Sequence, residues 1–143
     1  MWDVIERVAF ASVASLICTA ASAASAVPSP AVNPVVGIWE WAIPGARCTE
    51  VMTMRADGTS GATSGEEVTE SDSRVSDQPD SDGFYQLIDT ITRTNGKPDC
   101  AGQRTPVGDV STTYLKLDPE GDKMMLCLAR TGPCFGPYIR QRR

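Results

Sequence analysis

Turn signals recur so often along this chain that no segment between them is long enough for a trustworthy helix. Pro44-Gly45, Asp57-Gly58, Asn95-Gly96, Pro119-Glu120-Gly121-Asp122 and Thr131-Gly132-Pro133 each interrupt short stretches rich in β-branched, aromatic and alternating residues. Such punctuation restricts the chain to strands joined by tight connections. Strands are expected over Val35 to Ala42, Cys48 to Arg55, Phe84 to Thr94, Val110 to Asp118, Lys123 to Arg130 and Phe135 to Arg140. Thr59 to Thr69 reads as a weak Gly/Ser/Thr edge strand. The polar stretch Ser71 to Gly83 reads as a mobile acidic loop, with at most a short strand near Arg74 and Val75. The fold class expected is all-β: a small antiparallel up-and-down meander of six to eight strands, closed as a barrel or folded as a sandwich.

The strands occupy only part of the 143 residues. Val8 to Ala26 is uncharged and ends in Ala-Ala-Ser-Ala-Ala-Ser-Ala, which offers small-x-small cleavage sites. Residues 1–26 therefore read as a signal peptide cleaved before Val27, although Asp3 and Glu6 make a poorly basic leader. Pro28, Pro30 and Pro34 mark 27–34 as a linker that cannot join a sheet centre. Residues 35–143 form the single domain. With the signal removed, no stable membrane span is expected, and export to a bacterial periplasm or beyond the cell follows.

Export gives the cysteines their meaning. Of five, Cys18 lies in the signal, leaving Cys48, Cys100, Cys127 and Cys134. An even number in a small exported domain reads as two disulfides. Three pairings are open. Cys48 with Cys100 and Cys127 with Cys134 is favoured, because in an up-and-down order these positions gather at one end. A zinc site is disfavoured, since no two of these cysteines have the close spacing of a metal knuckle.

The chemistry available is narrow. There is no histidine, so histidine-activated nucleophiles and most catalytic zinc sites are excluded. Glycine-rich phosphate loops are absent. No catalytic residue, no metal and no cofactor is expected. Asp80-Ser81-Asp82-Gly83, followed by Asp89, has part of the spacing of a calcium loop. Gln78 stands at the first ligand position, however, so a solvated Asp-Gly turn is the better reading. The net charge of −5 disfavours nucleic acid.

Gly37-Ile38-Trp39, on the first expected strand, resembles the Gly-x-Trp opening of lipocalins and related calycin barrels, and the scale is that of the small bacterial members. The resemblance implies that Trp39 plugs the closed end of a barrel beside Gly37. A late basic side chain would cross it, with Arg130 preferred to Arg140. It also implies function by binding. The first expectation is a periplasmic inhibitor, immunity-type or other protein-binding module acting on an envelope or secreted protein, with Asp77, Asp80 and Asp82 as the candidate contact loop. The alternatives are a lipocalin-like carrier of a small apolar ligand and a structural envelope component.

Overall fold

A computed structural model describes residues 31–142. The signal segment, its cleavage point and residues 27–30 of the linker lie outside the described residues. Eight strands follow one another: β1 (Gly37–Ala42), β2 (Thr49–Met54), β3 (Thr59–Ser64), β4 (Glu67–Val75), β5 (Phe84–Thr94), β6 (Val110–Leu117), β7 (Lys123–Cys127) and β8 (Cys134–Gln141). Each pairs antiparallel with its sequence neighbour, and β8 returns to β1 through Ile38–Gln141, Trp39–Arg140 and Glu40–Ile139. The sheet is thus a closed up-and-down barrel rather than a sandwich. Closure leaves no unpaired sheet edge.

The expected weak edge strand is in fact a hairpin. β3 turns at Gly65, with φ 58°, into a nine-residue β4 that takes over the first part of the expected mobile loop and leaves only 76–83 as connection. Alternation is present in β4, but its inward residues are polar. Glu67, Thr69, Ser71 and Ser73 are buried, while Val68, Asp72 and Arg74 face solvent. Because the inward set is itself polar, apolar periodicity could not reveal it.

Alternation of side chains divides the interior into two unlike halves. Connections β2–β3, β4–β5 and β6–β7 gather at the end where β1 enters and β8 leaves. There Val35, Trp39, Met54, Leu87, Leu115 and Met124 form a fully packed apolar core, with Tyr85 and Tyr138 beside them. The strand expected over Lys123 to Arg130 ends at Cys127, and Leu128 lies beyond it, 53% exposed. At the opposite end lie connections β1–β2, β3–β4, β5–β6 and β7–β8. Inward-facing Trp41, Met52 and Leu126 pack against the core there but stay only partly buried. An eight-stranded barrel is just wide enough for its own side chains or one small ligand. This one is filled at one end and reached by solvent at the other.

Both disulfides have the favoured pairing, Cys48–Cys100 and Cys127–Cys134. Cys127 and Cys134 are directly opposed residues of β7 and β8. Cys48–Cys100 ties the β1–β2 turn to the long β5–β6 connection across 52 residues of chain, against seven for the other. Loop-closure entropy then sets their rank. Replacing Cys48 and Cys100 by Ser should cost about 4 kcal/mol and the other pair about 2.5 kcal/mol, by denaturant unfolding. Equal costs would show that strain or residual structure, not loop length, governs them.

Candidate functional site

The closed end is built around one cation. The Arg140 guanidinium carbon lies 4.1 Å from the centre of the Trp39 ring. Its nitrogens donate to the carbonyls of Gly121 at 2.7 Å, Val36 at 2.8 Å and Pro34. Trp39 Nε1 in turn donates to Val35 O at 2.9 Å. Asn33 extends the stitching by donating to Ser76 O at 3.0 Å. A single side chain therefore joins β8, β1, the entering segment and the β6–β7 turn. Gly37 makes room for it: its φ is +151°, and a Cβ there would sit 2.5 Å from Arg140 Nη1. The Gly-x-Trp spacing has a local physical cause in this contact.

The plug cation is Arg140 and not Arg130. Arg130 follows β7 and lies on the outside of the barrel, 5.5 Å from the centre of the Tyr114 ring and 3.1 Å from Asp80 Oδ2. Pairing order decides between the two arginines. Residues directly opposed across β1 and β8 share a face, so Trp39 brings Arg140 inward with it.

Of the three candidate contact residues in the β4–β5 connection, Asp77 and Asp82 are exposed. Asp80 is committed to the loop itself. Its Oδ1 accepts from the amides of Asp82 and Phe84, both at 2.9 Å, while Oδ2 faces Arg130. The Phe84 amide first, then that of Asp82 and the Arg130 charge, hold its carboxyl below the usual aspartate range. Asp89 lies inside the barrel on β5, away from any calcium-loop arrangement. Among the described residues no group of three Asp, Glu, Cys or His side chains is placed to share a metal ion.

The interior also carries polar groups that sequence patterning could not separate from surface. Ser73 and Ser60 both donate to Asp89 Oδ1, Ser60 at 3.2 Å. Burial pushes the Asp89 carboxyl up, against the two serine bonds that draw it down. Nearer the rim, Trp41, Glu50 and Ser64 are side by side on adjacent strands. Glu50 accepts from Tyr138 Oη at 2.6 Å and from Ser64 Oγ at 2.9 Å. Burial, then the Glu50 carboxylate, push the Tyr138 phenol up, which keeps it a donor. The Trp41 ring is 5.4 Å from Tyr138 and 6.1 Å from Phe135.

The β5–β6 connection, 95–109, crosses the rim on the β3–β4 side. Besides its disulfide, it is fixed by Cys100 N to Ser64 Oγ at 3.1 Å and by Thr105 N to the buried Glu67 carboxylate at 2.7 Å. Glu66 N bonds Pro98 O at 3.2 Å. Gly65 lies so close beneath that a Cβ would meet the Asp99 carbonyl carbon at 3.1 Å. From Ala101 to Thr112 every residue but Thr105 is exposed, and Val107 and Val110 are each 61% exposed.

Two measurements separate these roles. Arg140→Leu should lose about 3 kcal/mol of folding stability, because three carbonyls lose a charged donor and Trp39 its cation. Arg130→Ala, an exposed pair, should lose less than about 1 kcal/mol; the reverse ranking would restore Arg130 to the plug. For Asp89, a folded-state pKa above the ordinary 3.8 means the folded chain holds the proton more tightly than the unfolded one. Its burial therefore lowers stability progressively as pH rises through and beyond 3.8. Asp89→Asn should be more stable than the parent at neutral pH, with the gap closing below that value; a gap independent of pH would contradict this. The chain has no significant match among protein-family models, curated proteins or solved structures, so the roles of these groups rest on its own geometry.

Proposed function

We propose that this chain is an exported, non-enzymatic binding protein that presents the open end of its barrel to a periplasmic or secreted protein, as an inhibitor or immunity-type module does. The observation that carries this reading is the 95–112 segment. It is long, held by a disulfide and by bonds to Ser64 and Glu67, and exposed along nearly its whole length with two valines outward. A surface already held in one conformation loses little entropy on docking. Exposed apolar side chains on such a frame are suitable anchors. Two disulfides fit an oxidising compartment. The Trp39–Arg140 plug supports kinship with calycin barrels.

A carrier function is the second reading, favoured by solvent access to the inward face at the open end. The side chains best suited to an apolar ligand, Met54, Leu87, Leu115 and Met124, are already packed on one another. A lumen ligand would therefore meet polar as well as apolar groups.

The test uses the oxidised protein to recover a partner from its own envelope and secreted fractions, followed by reconstitution from purified components. A one-to-one complex whose affinity falls at least about ten-fold on Val107→Asp with Val110→Asp, without change in melting temperature, is the expected result. A complex indifferent to those substitutions would move the contact surface elsewhere. Recovery of the protein alone under all conditions would contradict the reading.

A further inference from the structure

We propose that the barrel mouth binds a small organic cation of the ammonium class, with its charge on the Glu50 carboxylate and its alkyl groups on the ring of Trp41. This goes beyond the protein-binding reading and does not depend on it.

Glu50 is held in place before any ligand arrives. Tyr138 Oη and Ser64 Oγ fix its two oxygens from two sides, at 2.6 and 2.9 Å. Both bonds come from neutral donors. No basic side chain pairs with Glu50 among the described residues, where the ion pairs formed are Arg55–Glu70, Lys97–Glu66, Arg130–Asp80 and Arg142–Asp122. Arg140 is the only basic residue of the eight strands that shares the inward face, and it is occupied at the far end by Trp39 and three carbonyls. A partly buried carboxylate without an ion-pair partner projects a negative potential that the neighbouring apolar side chains screen poorly.

The wall beside it is aromatic. Trp41 is the direct cross-strand neighbour of Glu50 and is braced by tilted contacts with Tyr138 and Phe135. Trp41 and Glu50 both remain partly solvent-accessible, and Phe135 is 38% exposed at the rim. A neutral apolar ligand would leave the carboxylate desolvated and unpaired, which is unfavourable. An inorganic cation would use the carboxylate but not the rings. An alkylated ammonium satisfies both surfaces at once, through ion pairing and cation–π attraction.

The experiment is a calorimetric titration of the full, oxidised chain with choline and with its neutral isostere 3,3-dimethyl-1-butanol. The indole N–H resonance of Trp41 is followed by NMR, with that of Trp39, bonded to Val35 O, as internal control. Choline should bind saturably and shift Trp41 but not Trp39. The isostere, Glu50→Gln and Trp41→Leu should each bind at least about ten-fold more weakly. Glu50→Gln keeps the shape and the acceptor for Tyr138, and its melting temperature verifies folding. No saturable binding of choline up to about 10 mM, equal binding of the isostere, or unchanged binding by folded Glu50→Gln would each overturn the proposal. Val107→Asp with Val110→Asp should leave choline binding intact, so failure here and failure of the protein-docking reading are told apart.

Discussion

The Arg140 guanidinium organises the closed end of this protein. Eight short strands close into a barrel only if the last meets the first, and the β1–β8 seam has just three register pairs. Arg140 sits in the middle of that seam, caps Trp39 and draws in carbonyls from the entering segment and from the β6–β7 turn. These contacts are non-local, spanning over a hundred residues from Pro34 to Arg140. Charge-assisted bonds that end on backbone carbonyls suit a planar five-donor group, and a lysine could not reproduce the fork.

The interior of the barrel is not uniformly apolar. Met54, Leu87, Leu115 and Met124 pack at the plugged end, while β3 and β4 turn Ser60, Thr69, Ser71 and Ser73 into the interior of the same barrel. Two of those hydroxyls, on Ser60 and Ser73, give inward-facing Asp89 its hydrogen-bond partners, as Ser64 and Tyr138 do for Glu50. The interior thus supports specific polar contacts at the cost of some apolar burial. The two disulfides lie toward this less well-filled end, where Cys48–Cys100 tethers the rim segment. Rigid staples where the core is thin, and a plug where it is dense, together give a stable frame with one open face.

Much of the fold was legible from residues whose neighbours act on them locally. Asp57-Gly58 and Asn95-Gly96 marked turns, Phe84 to Thr94 gave the longest strand, and the up-and-down order placed the cysteines for their observed pairing. The β3–β4 hairpin was not legible, because Thr69, Ser71 and Ser73 are inward yet polar, and hydrophobic patterning reads polar as outward. The plug cation turned on the same limit of local reading. Arg130 and Arg140 are alike in sequence terms, and only the register of β8 against β1 puts Arg140 over Trp39. Asp80 likewise looked like a free surface charge, but its carboxylate closes the turn on which it sits. The Glu50–Tyr138 bond joins residues 88 apart, a distance at which no spacing rule operates.

The most direct test of this account is the β1–β8 seam itself, read by NMR on the oxidised protein. A closed barrel requires through-space contacts between the backbones of Glu40 and Ile139 and between Trp39 and Arg140, with slow amide exchange in both strands. Those contacts and that protection are what the account predicts. Rapid exchange along β1 and β8 with no contact between them would mean an open sheet, and neither the plugged end nor the placing of Trp41 beside Tyr138 and Glu50 would survive that result.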